Sequence, residues 1–233
     1  MLQTLLTALV MVLGPVRGAA WNSASDGPPN PGPIQVALQA APSDTSLVRW
    51  VLIPEESEAR YRVREQLAGL DFPNDAVGVT KEIVGTLVLD GENGSISDGS
   101  EFRIQLTSLT TDSERRDGYV RRRTLEVQDF PVAVLVPLRF LDHPVPFPET
   151  GSASFRLEAH LTLHGETRTT LWDISCDFAP GEINGLATTS FPFNTFGITI
   201  PQVARVLSED DNIRLQLEFK VVSERREPER VHR

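Results

Sequence analysis

The side chains that could do chemistry are few. His143, His160, His164 and His232 are the only histidines, and Cys176 is the only cysteine. His160 and His164 stand four residues apart. On a helix that spacing puts two imidazoles on one face and suits a metal. On a strand it separates them by about 13 Å, at roughly 3.3 Å per residue, and one ion cannot bridge them. Cys176, within LWDISCDF, falls in phase with Trp172, Ile174 and Phe178. That phase predicts a buried thiol on an apolar face rather than a nucleophile. Asp173 and Asp177 share the opposite face without a visible acid–base partner. No GxSxG, HExxH, P-loop or GxGxxG pattern occurs. The residues ask for no catalysis, no metal and no cofactor, and the chain reads as a non-enzyme.

The densest charge lies in TTDSERRDGYVRRRTLEVQDFP, Thr110 to Pro131. It holds Arg115, Arg116, Arg121, Arg122 and Arg123 in a chain of formal charge −10. A nucleic-acid partner needs a broad basic face, and a sequence pI near 4.9 excludes it. A local cluster suits a small anion or an ion-pair network. Thr111-Asp112-Ser113-Glu114 has the capping-box form, with Thr111 as N-cap, and predicts a short helix from about Asp112 to Arg123. Asp117 stands four residues before Arg121, the favourable orientation for an ion pair. Two readings stay open. One is a structural, ion-paired helix between strands. The other is a lid over one end of a barrel, with Arg115, Arg116, Asp117 and Arg121 as a head-group cluster. Arg60, Arg62 and Arg64 form a second candidate face.

The elements that must position these residues are strands. In SASFRLEAHLTLHG, Ala153, Phe155, Leu157, Ala159, Leu161 and Leu163 fall on one face, and polar residues fall on the other. In DNIRLQLEFKVV, Ile213, Leu215, Leu217, Phe219 and Val221 do the same. In EARYRVRE, Ala59, Tyr61 and Val63 oppose three arginines. This alternation is the half-buried strand signal. Further strands are expected at Ser46–Ile53, Lys81–Leu89, Glu101–Thr107, Val132–Phe140, Thr167–Phe178 and Gly185–Phe193, with a short helix near Gln202–Ser208. Eight or nine strands with no long helix must cover themselves, as a sandwich or a closed barrel. They are long for strands, so a barrel would be tall enough for a long ligand.

Four segments are expected along the chain. Residues 1–20 read as a signal peptide: LQTLLTALVMVLG is too short to span a bilayer, and Gly18-Ala19-Ala20 supplies small residues for cleavage after Ala20. No Lys or Arg precedes that run. Residues 21–45 read as a linker rich in Pro, Gly, Ser and Ala, residues 46–222 as the folded domain, and residues 223–233 as a charged, frayed tail. The protein is therefore expected to be exported, periplasmic or secreted.

Three stretches, in order, resemble the YceI-like family of lipid-binding (polyisoprenoid-binding) bacterial proteins. In LTSLTTDSERRDGYVRRRTLEVQDFPVAVL, the residues Thr111, Asp112, Arg116, Asp117, Leu125, Phe130 and Pro131 are similar to a family segment. LTLHGETRTTLWDI follows, with Leu161, Thr162, Leu163, Gly165, Thr167 and Arg168. Last come FPFNTFGITIP and DDNIRLQLEF. The resemblance implies an all-β chain: an extended, lipocalin-like antiparallel barrel of about eight strands with one or two short helices. It also implies a long isoprenoid or similar amphiphile inside, held for transport or storage. Expected lining residues are Phe102, Ile104, Leu106, Val134, Val136, Leu138, Phe155, Leu157, Leu161, Trp172 and Ile174, all read as the apolar phase of their strands. Transient membrane contact and a homodimer would be compatible with such a carrier. The alternatives are a lipid- or small-molecule-modifying enzyme that uses the same cavity, and a structural interaction module with a filled barrel.

Overall fold

A computed structural model of the chain describes residues 47–67, 74–201 and 206–224. Ten strands run β1 Leu47–Leu52, β2 Glu58–Leu67, β3 Asn74–Thr80, β4 Ile83–Asp90, β5 Glu101–Gln105, β6 Val132–Leu141, β7 Gly151–Leu163, β8 Glu166–Ala179, β9 Glu182–Phe191 and β10 Val206–Glu224. One α-helix, α1, covers Glu114–Tyr119 and continues as a π-helical turn over Val120–Thr124. The expected domains at residues 1–45, and the tail beyond Glu224, lie outside the described residues. From Val206 the chain is strand, where a short helix was expected to run to Ser208.

Every pairing is antiparallel, in the order β1-β4-β5-β6-β7-β8-β9-β10-β2-β3, and β1 also pairs with β10. That last pairing closes the ring. β1 and β2 both run against β10, one beyond the other, with a short 3-10 turn at Pro54–Glu56 between them. β3 and β4 likewise stack end to end, against β2 and β1. Ten segments therefore fill eight positions of a closed barrel. Closure matters because a free sheet edge exposes unpaired backbone groups.

The long strands follow the expected phase. β8 is exposed over its first four residues and alternates from Thr170 onward, with Thr170, Trp172, Ile174, Cys176 and Phe178 inward. β7 matches it, with Leu157 opposite Trp172 and Phe155 opposite Ile174. The two join at His164-Gly165, both at positive φ (51° and 76°), which suits the tight turn between twisted strands.

β3 is missing from the strands expected on sequence. NDAVGVT is short and carries Asn, Asp and Gly, which read as punctuation. Gly78 is there because the ring of Tyr61, directly across on β2, occupies the space a Cβ would need. A strand glycine of this kind marks close approach rather than a turn.

The barrel interior divides into two halves. The end toward β1 is packed solid by Leu52, Phe102, Leu157, Ile174, Phe178 and Val221, all buried. Phe147, from the β6–β7 loop, seals it: its ring lies 5.4 Å from Phe140, 5.4 Å from Phe155 and 5.7 Å from Phe178. Burying one such aromatic contributes about 1.5–3 kcal/mol, with about 0.5–1.5 more for each edge-on ring pair. The end toward α1 is hollow.

Candidate functional site: a one-ended apolar cavity

The cavity in the hollow half has a volume of about 820 Å³. Small-molecule sites run from about 300 to 1,000 Å³. Its walls come in layers set by strand register. The innermost layer is Leu217 and Ala59 with Trp172. The next is Leu215 and Tyr61, with Ile104 and with Leu135 opposite Leu161. Near the mouth are Leu163, Ile213, Val63 and Ala76. The indole of Trp172 donates its N–H to Thr170 Oγ1 at 2.9 Å, which satisfies its one polar atom and leaves an apolar face. Phe193, Ile198 and Pro201, after β9, line the rim.

Of the lining residues expected on sequence, Ile104, Leu106, Leu161 and Trp172 face the cavity. Phe102, Phe155, Leu157 and Ile174 point inward and are buried, but they belong to the packed half. Val134, Val136 and Leu138 are a correction. They are half-buried on the outer phase of β6, and Ala133, Leu135 and Pro137 face inward. VAVLVPLRFL is apolar at almost every position, so alternation cannot phase it, and a register shift between Pro137 and Arg139 breaks the count from the far end.

The mouth is built by the arginine segment. Arg116 bridges to Glu65 at 2.8 Å and also meets Asp112. Glu65 is 4% exposed and sits two residues beyond Val63, on the inward phase of β2. The pair ties α1 to the barrel wall, and breaking a buried pair from one side costs about 3–5 kcal/mol. The apolar phase of β2 ends at Val63. Glu65 was findable as the next inward position, and an acid there asks for a cation.

The local geometry of α1 departs from expectation. Ser113, not Thr111, is the N-cap, and it makes no side-chain cap bond. Asp117 turns back to Thr111, accepting its N–H and its hydroxyl, each at 2.7 Å. It does not pair with Arg121. Arg121 donates to the carbonyls of Leu109 at 3.1 Å and Thr107 at 3.4 Å. Asp117 is buried among these bonds, so Arg116, Asp117 and Arg121 fix the helix in place. Arg115, Arg122 and Arg123 line the cavity mouth and form no ion pair among the described residues. The Thr124 hydroxyl, also in the cavity wall, is buried with no hydrogen-bond partner among the described residues. Leaving such a group unpaired costs about 1–3 kcal/mol.

Cys176 is 5% exposed, and burial, with a smaller contribution from the Asp177 charge, pushes its thiol up to about 12. His164 lies at 3.2 Å from the Phe196 carbonyl and 3.3 Å from Glu126, tying three rim loops together. His160 meets Thr169 on the outer wall. No cluster of metal-ligating side chains occurs among the described residues.

The family profile of the YceI-like domain matches residues 50–221. The chain belongs to the YceI-like family. Solved structures share the fold at low identity. A polyisoprenoid-binding domain from Saccharophagus degradans, implicated in plant cell wall breakdown, superposes with a TM-score of 0.58 at 13% identity, over 75% of this chain and 98% of its own. Burkholderia cenocepacia BcnA gives 0.56 at 12%, over 72% and 98%. A Campylobacter jejuni YCEI protein gives 0.52 at 14%, over 69% and 91%. No curated protein matches the chain in sequence. The YceI-like barrel thus pairs a family architecture with a cavity wall and mouth built from this chain's own residues.

Proposed function

We propose that this YceI-like protein binds one long-chain amphiphile, of polyisoprenoid or similar type, inside the barrel, and acts as its carrier or reservoir without chemically changing it. The observation that carries this reading is the cavity: about 820 Å³, lined mainly by apolar side chains along its depth, closed at one end, with most of its charged lining residues in the arginine segment at its mouth. The energetics support it. A five-carbon isoprene unit gains at most about 4 kcal/mol on burial, at about 0.8 kcal/mol per methylene. Association costs about 4–15 kcal/mol, so several units leave micromolar binding or tighter. The polyisoprenoid-binding Saccharophagus domain of the same fold lends support. Action outside the cytoplasm is part of the proposal and rests on the apolar run Leu2–Gly14 followed by small residues.

The test is organic extraction of the purified full chain, followed by mass spectrometry. A stoichiometric co-purifying amphiphile is expected. A barrel with nothing bound that also takes up no fluorescent acyl or prenyl probe would sink the carrier reading.

A further inference from the structure

The five arginines of the mouth segment divide into two groups with different work. Arg116 is committed to Glu65, and Arg121 to two backbone carbonyls. Arg115, Arg122 and Arg123 line the cavity and are exposed, with neither an ion pair nor a hydrogen bond among the described residues. Elsewhere on the barrel, arginines mostly meet carboxylates: Arg139 reaches Glu158 at 2.6 Å, and Arg156 reaches Asp142 at 2.6 Å. Here most nearby acids are engaged elsewhere, and exposed Glu114 pairs with none of the three. Glu65 and Asp112 are taken by Arg116, and Asp117 by Thr111.

Arg122 is also placed. A Cβ on Gly118 would meet its Nη2 at 2.9 Å, so the guanidinium lies across the glycine of α1, itself part of the cavity wall. Thr124 also lines the cavity, but its hydroxyl is enclosed within the wall and does not open onto it. Three guanidiniums without ion pairs at the mouth of a mainly apolar cavity lack the same thing: a group rich in acceptor oxygens.

We infer that the mouth is an anion site, with Arg115, Arg122 and Arg123 receiving the carboxylate or phosphate head of the amphiphile. Guanidiniums suit both heads, because each offers a fork of N–H donors to paired oxygens. The inference rests on the amphiphile reading of the cavity and narrows it to anionic amphiphiles.

The test uses the full chain, stripped of lipid, and two probe pairs of equal chain: hexadecanoic acid against hexadecanol, and geranylgeranyl phosphate against geranylgeraniol. Displacement of a fluorescent acyl probe gives four affinities. At least one anion is expected to bind about tenfold more tightly than its own alcohol, equivalent to about 1.4 kcal/mol. A preference in the phosphate pair alone identifies a phosphate head, and a preference in the acid pair alone identifies a carboxylate. The Arg115→Gln, Arg122→Gln, Arg123→Gln triple variant should bind anion and alcohol alike. The preference of the parent protein should also shrink between roughly 0.01 and 1 M salt, as the screening length falls from about 30 to 3 Å. That series decides the matter if the triple variant does not fold. Equal affinity for anions and alcohols in the parent, or a preference indifferent to salt, overturns the head-group assignment while the amphiphile reading stands. Binding of neither class overturns both.

Discussion

Enlarging one leucine in each half of the barrel tests whether the two halves differ as described. Leu157 is 7% exposed, directly across from Trp172 and adjoining Phe140 in the β6–β7 pairing. Leu157→Trp forces extra volume into a close-packed region, at a cost of about 1–3 kcal/mol. For a chain of this size that lowers the melting temperature by about 2–12 °C. Leu215, on β10, is half-buried because its side chain borders the cavity. Leu215→Trp finds room within 820 Å³ and should cost under about 0.5 kcal/mol, the range of a substitution that disturbs no packing. It should instead reduce probe uptake. The assay is calorimetric melting of delipidated protein beside titration with a fluorescent prenyl or acyl probe. Equal destabilisation by both changes, or full probe capacity in Leu215→Trp, would refute the division into packed and hollow halves. The sequence alone predicts the reverse for Leu157, because its phase is inward and phase says nothing of depth.

Arg116→Met strands Glu65 in a buried site and should destabilise by about 3–5 kcal/mol in urea melts, whereas Glu65→Gln leaves Arg116 with Asp112 and should cost less. Equal losses would refute the asymmetry of burial. Cys176 should resist thiol reagents at pH 7–9 until denaturant is added. Its raised thiol stabilises the fold fully below the unfolded value of about 8.5, and that contribution is lost between there and about 12, so stability should fall across that window, and Cys176→Ala should flatten the fall. Gly78→Ala drives a methyl into the Tyr61 ring and should destabilise by about 1–3 kcal/mol. Gly118→Ala should stabilise α1 by up to about 1 kcal/mol, since only the flexible end of Arg122 must move aside.

What the sequence made legible follows from how strongly each segment alternates. β7, β8 and β10 carry one apolar face and one polar face, so their inward residues could be named in advance. β6 is apolar on both phases, and nothing in VAVLVPLRFL says which valines look inward. β3 has the composition of a loop, and it is a strand because its backbone pairs with β2 over seven residues, with Gly78 leaving room for the Tyr61 ring. At the mouth, the sequence located the arginine helix but could not sort its members. Which arginine is an anchor depends on Glu65, 51 residues earlier in the chain, and pairing at that range is set by the closed barrel alone.

The aromatic seal around Phe147 has a further consequence. A vessel closed at one end measures what is put into it. Once the tail of a chain touches the floor at Trp172 and Leu217, added carbons must stay in water at the mouth. Affinity along a homologous series should then climb by about 0.8 kcal/mol per methylene and level off at the length that fills the depth. The packed half, which binds nothing itself, would act as the zero mark of a ruler.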